Sequence, residues 1–244
     1  MSEQRSPKTP RRSVRRASIK SPVPPSKPDD SSSQPSARPI DFAKRLQKLY
    51  PDARCALNHE TPWQLLIATI LSAQCTDVRV NLVTPALFKR YPGAKAMAEA
   101  DRAELEKLIQ STGFYRNKAA NILACCKTLV DKHHGEVPRT LEELTPLGGV
   151  GRKTANVVLG NAYGIPGLPV DTHVGRLSRR MGLTTQTDPV KVEKELMEEL
   201  PPKEWTLFSL RMIDHGRAVC FARKPQCASC DLADICPKID VAAV

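Results

Sequence analysis

The sequence predicts an all-α fold. Apolar residues recur at helical spacing through most of the chain, and signals for helix starts and stops separate these segments. We find no convincing alternation of apolar and polar residues that would indicate β-strands. Aromatic residues make up only 5% of the chain, which argues against an aromatic-rich β-sandwich, while 41% hydrophobic residues suffice for a buried core.

Local capping signals set the predicted helix boundaries. Thr61 followed by Pro62 is an N-cap with proline at the first helical position, and the apolar run 63–73 behind it predicts a central, buried helix. Asp101 with Glu104, and Thr140 with Glu143, resemble capping boxes. The chain is helical in pattern from Pro39 onward, and the predicted helices that follow cover about 101–113, 115–134, 140–147, 151–163, 172–181, 188–200 and 203–219.

The charge distribution suggests a polyanionic partner. The net charge is +11, which suits nucleic acid but is weak evidence alone. Residues 1–38 are rich in serine, proline and basic residues and cannot bury enough apolar surface to fold, so they predict a disordered basic arm. An inert tail and a DNA tether are equally compatible with this composition. We find neither a membrane-spanning run nor a signal-peptide core, and expect a reducing, cytoplasmic location.

A glycine-rich hairpin lies between two predicted helices. The run Leu147–Ala155 contains three glycines, which allow a sharp turn and let backbone N–H groups approach a partner at the start of the next helix. This design grips a DNA phosphate without reading sequence. The spacing excludes a Walker loop, which needs four residues between its first glycine and its Gly-Lys-Ser/Thr. An ordinary helix–helix turn is the alternative.

Lys153 and Asp171 are the candidate catalytic pair. Lys153 ends the hairpin motif and Asp171 begins the run Val170-Asp171-Thr172-His173. Taken alone, Lys153 fits a solvated lysine and Asp171 a helix N-cap. Next to a DNA-gripping loop, however, an unprotonated lysine can attack a sugar carbon. A nearby carboxylate can then assist proton transfer and stabilise positive charge on the sugar.

Four of the eight cysteines form a candidate metal site. Four thiolates within a compact loop bind either zinc or an iron–sulfur cluster, and spacing alone does not choose between them. In a reducing compartment such clustering indicates metal ligands rather than disulfides. The candidate ligands are Cys220, Cys227, Cys230 and Cys236.

Taken together, these motifs resemble the endonuclease III family of helix-hairpin-helix DNA glycosylases. The resemblance covers about residues 40–238 and is highly specific. It rests on Leu71-Ser72-Ala73-Gln74, Gly113-Phe114-Tyr115-Arg116-Asn117-Lys118-Ala119, the hairpin ending in Lys153, Val170-Asp171-Thr172-His173, and His215-Gly216-Arg217 before the cysteines.

The resemblance implies a bifunctional DNA glycosylase and abasic-site lyase acting on oxidised pyrimidines in duplex DNA. Lys153 would form a Schiff base with the sugar, Asp171 would assist base loss, and β-elimination would cut the strand 3′ to the lesion. The four cysteines would hold a [4Fe-4S] cluster. We expect a monomer that works at the bacterial nucleoid. The residues implied at the DNA interface are Gln74, which fills the gap left by a flipped nucleotide, Phe114, which acts as a wedge, and Gly149, Gly151, Arg152 and His173.

The resemblance also implies an architecture of two helical domains flanking a cleft. A six-helix barrel would cover 55–165, with the helix-hairpin-helix at 140–160, and a helical iron–sulfur domain would combine 39–54 with 166–240. Two departures stand out: Gly148 replaces the family's usual proline, which predicts a looser hairpin, and Cys75 is an atypical, oxidation-sensitive thiol. Gln74 as a polar helix cap and Phe114 as a core aromatic remain alternatives.

Rival functions exist both within this fold and beyond it. Adenine-removing mismatch enzymes lack the lysine at the position of Lys153, and thymine mismatch enzymes tend to have tyrosine there, so both are disfavoured. A rival of another class is a non-catalytic DNA-binding module in which the cysteines hold structural zinc.

Overall fold

The structure, a computed structural model, describes residues 37–241. No strand occurs among them, which confirms the all-α prediction. The predicted arm at 1–38 lies outside the described residues, apart from its last two. None of the described helices is long and apolar enough to cross a membrane. The helices are α1 Pro39–Leu49, α2 Pro62–Leu71, α3 Asp77–Arg90, α4 Ala94–Ala98, α5 Arg102–Ile109, α6 Tyr115–His133, α7 Leu141–Leu144, α8 Arg152–Tyr163, α9 Thr172–Arg180, α10 Pro189–Glu199 and α11 Trp205–Ala218.

The first hydrophobic core is built around α2. This helix has no polar face turned to solvent, and every residue from Leu65 to Leu71 is buried. It packs against α3, α6 and α8. The Thr61 hydroxyl accepts a hydrogen bond from the Gln64 N–H at 3.2 Å, which confirms the predicted N-cap. The core draws its buried residues from Leu57 through Leu159.

A second core joins the N-terminal helix to the C-terminal third of the chain. Phe42 of α1 and Phe208 of α11 are both fully buried there, with residues from α9 and α10. Helix α1 packs directly on α11 and α10. Contacts between the two cores unite the described residues in one compact unit, so the division into two domains stays a prediction.

Most predicted boundaries agree with the structure to within two residues, and the capping residues explain why. The Asp101 carboxylate accepts from the Glu104 N–H at 2.8 Å, and the Thr140 hydroxyl accepts from the Glu143 N–H at 3.3 Å. Helix α5 ends earlier than predicted because a 3-10 turn, Gln110–Thr112, closes the segment before Gly113.

The sequence did not reveal α3 and α4. Helix α3 exposes Val78 and Leu82 at 72% and 66% of their surfaces and contains Pro85 in its interior. Exposed apolar residues and an internal proline both obscure the amphipathic pattern from which helices are predicted. Helix α4 has only five residues, too few to show helical periodicity.

Candidate functional site

The glycine hairpin connects α7 to α8 and packs tightly against α6. Gly149 has φ +74°, a conformation that favours glycine. A Cβ at Gly148 would lie only 2.6 Å from the backbone oxygen of Asn121. The absence of a side chain at Gly148 lets the loop approach the backbone of α6 closely. The expectation of a looser hairpin stays a prediction.

The N-terminus of α8 is open to a partner. Its N-cap, Gly151, has no side chain to satisfy the first N–H groups of the helix. A Cβ at Gly151 would meet no atom within 4 Å, so the space beside this residue is open. Uncapped N–H groups and the helix dipole make such an end suitable for an anion such as a phosphate.

Lys153 and Asp171 line the same cavity. The cavity receives side chains from α2, α3, α8 and α11, together with Asp171 just before α9. Lys153 is exposed at the second position of α8. Asp171 caps α9, because its Oδ1 accepts from the Val174 N–H at 2.8 Å. The same residue is thus an N-cap and a wall of the cavity, so the two interpretations of Asp171 are compatible.

Two further acidic residues and an arginine line this cavity, and sequence reasoning did not single them out for it. Arg217 of α11 donates to the Asp77 carboxylate of α3 at 2.7 Å, which ties α3 to α11 at the cavity wall. Burial raises the pKa of Asp214, while the nearby Arg217 charge opposes that shift. Asp77 and Asp214 occur in helices without a motif of their own, so only their juxtaposition in the fold reveals them.

Arg152 faces another side chain of the protein. Its Nε and Nη2 donate to the two carboxylate oxygens of Glu193 at 2.8 and 2.9 Å. Glu193 is buried in α10, and Asn156 of α8 donates to it at 3.0 Å. The predicted DNA contact therefore takes part in an ion pair that connects the hairpin helix to α10.

His173 packs closely against Gly216 of α11. A Cβ at Gly216 would lie 2.6 Å from its Nδ1, so glycine at this position makes room for the imidazole. Burial lowers the pKa of His173, the Asp171 charge raises it, and the charges of Arg176 and Arg217 lower it. The structure thus gives His173 a half-buried, packed position next to Asp171.

Gln74 and Phe114 lie on two exposed loops. Phe114 exposes 63% of its surface, which excludes the alternative of a core aromatic. Both residues have left-handed backbones, with φ 52° at Gln74 and φ 47° at Phe114, which non-glycine residues rarely adopt. Cys75, the atypical thiol beside Gln74, is half-buried against the first core.

The four C-terminal cysteines, Cys220, Cys227, Cys230 and Cys236, line the same pocket. Burial raises the pKa of the Cys230 and Cys236 thiols, and the neighbouring thiols add to the shift. Among residues 37–241, no three Cys, His, Asp or Glu side chains converge closely enough to enclose one metal ion. We refer to these four cysteines, which line one pocket, as the cysteine ring.

The loop that carries these cysteines is held by arginines of α9. Arg180 donates to the backbone oxygens of Phe221 and Ala222 at 2.6 and 2.9 Å and approaches the Cys220 sulfur at 3.4 Å. Arg176 donates to the Cys220 oxygen at 2.9 Å. The loop is therefore anchored to the same helix that Asp171 caps.

Comparison with known proteins gives a consistent family. Residues 67–202 match the model of the HhH-GPD superfamily of base excision DNA repair proteins. Endonuclease III of Synechocystis sp. is 61% identical over 193 residues, covering 79% of this chain and 88% of the relative. Endonuclease III of Bacillus subtilis is 45% identical, covering 81% and 91%, and that of Escherichia coli 39% identical, covering 84% and 99%.

Solved structures agree with these relatives. A non-covalent endonuclease III–DNA complex is similar with a TM-score of 0.78 and 48% identity, over 81% of this chain and 92% of the other. A trapped covalent endonuclease III–DNA intermediate has the same TM-score and identity over 82% and 94%. With its hairpin, its lysine–aspartate cavity and its cysteine ring, the chain belongs to the endonuclease III family of HhH-GPD base excision DNA repair proteins.

Proposed function

We propose that this chain removes oxidised pyrimidines from duplex DNA through a Schiff base on Lys153 and then cuts the strand 3′ to the abasic site. The observation that carries the proposal is the shared cavity of Lys153 and Asp171, adjacent to the open N-terminus of α8. A nucleophilic amine, a carboxylate and a phosphate-binding helix end are the groups that this reaction needs.

Each step of the chemistry has an atom to perform it. The Lys153 Nζ attacks the sugar C1′, and the bond from C1′ to the base breaks, with its electron pair and a proton leaving on the base. The nitrogen lone pair then forms the C=N bond as the C1′–O4′ bond breaks, and the remaining amine proton passes to O4′, which opens the sugar ring and leaves an imine. Loss of a proton from C2′ then expels the 3′ phosphate oxygen by β-elimination. The Asp171 oxygen that does not cap α9 is available to stabilise positive charge on the sugar and to move a proton.

Access to the sugar requires the damaged nucleotide to leave the duplex. Extrusion costs a few kcal/mol of unstacking. We assign Gln74 to fill the resulting gap and Phe114 to wedge the strand, because both side chains are exposed on loops. The backbone N–H groups of Gly149 and Gly151 would donate to a DNA phosphate at the N-terminus of α8. Since Arg152 and His173 are engaged within the protein, we assign them to support the hairpin and Asp171 rather than to contact DNA.

The cysteine ring fits the [4Fe-4S] cluster that the family resemblance implies. Cys220, Cys227, Cys230 and Cys236 would supply four sulfur ligands, and all four line one pocket. When bound, the cluster supplies iron–thiolate bonds that cross-link the loop. Arg176 and Arg180 hold the loop to α9. A protein that is colourless as isolated and contains one zinc would contradict this assignment.

Borohydride trapping tests the proposed reaction. Borohydride reduces an imine to a stable amine, so the wild-type protein should become covalently attached to DNA that carries an abasic site. Lys153→Ala should not, whereas the control Lys194→Ala, an exposed lysine of α10, should trap like wild type. Failure of the wild type to trap would favour a non-catalytic DNA-binding module. A panel of duplexes with different damaged bases would establish the substrate range.

A DNA substrate would place this activity at the bacterial nucleoid. Residues 37–241 contain a complete candidate site in a single chain, which is consistent with a monomer.

A further inference from the structure

A buried lysine lies between the two loops that carry Gln74 and Phe114. Lys118 is in α6, and only 4% of its surface is exposed. Its Nζ donates two hydrogen bonds of 2.8 Å, one to the Leu71 backbone oxygen and one to the Thr112 backbone oxygen. In the described part of the chain, this ammonium therefore bonds to carbonyls of two different segments.

These carbonyls are the ones that need a donor. Leu71 is the last residue of α2 and Thr112 ends the 3-10 turn after α5. Carbonyls at helix ends have no intrahelical partner, and the dipole favours a cation beside them. Burial lowers the pKa of Lys118, because removing an ammonium from water costs free energy. Two short charge-assisted bonds offset part of that cost.

Each of the two exposed loops begins close to one of the carbonyls that Lys118 binds. Gln74 follows Leu71 by three residues, and Phe114 follows Thr112 by two. The Phe114 carbonyl also accepts from the backbone N–H of Lys118 at 3.0 Å. Left-handed backbones at non-glycine residues persist only where the surroundings hold them. Lys118 contacts the starting point of each loop and so fixes one relative to the other.

We propose that Lys118 is a positioning residue that sets the separation of Gln74 and Phe114, so that both enter the duplex together when a nucleotide leaves it. The proposal rests on the proposed function, because it assigns DNA insertion to those two side chains. Lys118 itself is buried and does not reach the cavity of Lys153. Its effect should appear only where a base pair has to be opened.

The test compares an abasic site in a duplex with the same site in an unpaired strand. Single-turnover borohydride trapping is measured for wild type, Lys118→Met, Lys118→Arg and the control Lys127→Met, which changes an exposed lysine of the same helix. Loss of two hydrogen bonds to a charged group should slow Lys118→Met about tenfold or more on the duplex. On the unpaired site it should trap at the wild-type rate. Lys118→Arg should recover most of the duplex rate, and Lys127→Met should match wild type on both.

Thermodynamic coupling provides a second measurement. If Lys118 acts through the two loops, adding Lys118→Met to a Gln74→Ala, Phe114→Ala protein should slow duplex trapping by less than about twofold, because the shared effect is already absent.

Several outcomes would overturn the proposal, and they differ from failure of the proposed function. An equal loss on duplex and unpaired sites would indicate general damage to the fold. A Lys118→Met protein as fast as wild type on the duplex would show that the bonds are dispensable. Additive losses in the triple variant would show that Lys118 acts independently of the loops. Absence of trapping by wild type on either site would refute the Schiff-base function itself.

Discussion

Replacing Arg152 with methionine should destabilise the protein far more than the same substitution at Arg90. Both guanidinium groups bond to a glutamate through Nε and Nη2, at 2.8 and 2.9 Å for Arg152 and 2.7 and 2.9 Å for Arg90. The carboxylates differ in burial: the Glu193 side chain is 6% exposed, and the Glu104 side chain 40%. The comparison therefore varies burial at nearly constant geometry.

The expected magnitude follows from what each substitution leaves behind. Arg152→Met leaves a buried carboxylate with the Asn156 amide as its remaining donor in the described structure. Breaking a buried pair costs about 3–5 kcal/mol, and since the Arg152 side chain is itself 43% exposed we expect about 3 kcal/mol. Glu104 without Arg90 keeps the Tyr91 hydroxyl as a donor and is open to water, so the loss of this exposed pair should cost far less.

Urea denaturation followed by circular dichroism measures both costs. Equal free-energy losses for Arg152→Met and Arg90→Met would refute the argument that burial of Glu193 sets the difference. The salt dependence of DNA binding tests whether Arg152 contacts a DNA phosphate instead. If Arg152 left Glu193 to bind a phosphate, its substitution would reduce the salt slope by about 0.9; an unchanged slope agrees with the ion pair to Glu193.

Three further predictions concern the histidine, the hairpin and the arm. Burial lowers the pKa of His173 below the ordinary value of 6.5, so the unfolded chain takes up this proton first and the free energy of unfolding should fall as pH drops below about 6.5. Urea denaturation at several pH values should show a shallower fall for His173→Gln. Gly149→Ala should cost about 1–2 kcal/mol because of its left-handed backbone, whereas Gly151→Ala should cost less than about 1 kcal/mol yet weaken DNA binding; the reverse order would contradict the hairpin assignment. Deleting residues 1–38 should reduce the salt slope of non-specific DNA binding by about 0.9 for each DNA phosphate that the arm neutralises, and an unchanged slope would leave the arm without a DNA role.

The helices that begin with a strong cap were predictable from sequence. Thr61, Asp101, Thr140, Asp171 and Asp188 each accept the backbone N–H that an N-cap should accept. Such signals depend on neighbours within four residues, so they survive without knowledge of the fold. Helix α3 also begins with a side-chain cap, but its exposed apolar residues obscure the amphipathic pattern from which a helix is predicted.

The candidate site was predictable only in part, because much of it is assembled by tertiary contacts. The motifs identify Lys153 and Asp171, while Asp77 and Asp214 join them only through the packing of α3 and α11. The Arg152–Glu193 pair spans 41 residues of sequence. The close approach of Gly148 to α6 likewise joins segments that are distant in the sequence. None of these long-range contacts leaves a local pattern.

The most direct measurement locates the amine that forms the imine. Wild-type protein is reacted with abasic-site duplex, reduced with borohydride, digested, and its cross-linked peptide sequenced by mass spectrometry. We predict that the deoxyribose remnant is on Lys153. An adduct on any other lysine, or no adduct from a protein that nevertheless cuts the strand, would contradict Lys153 as the nucleophile.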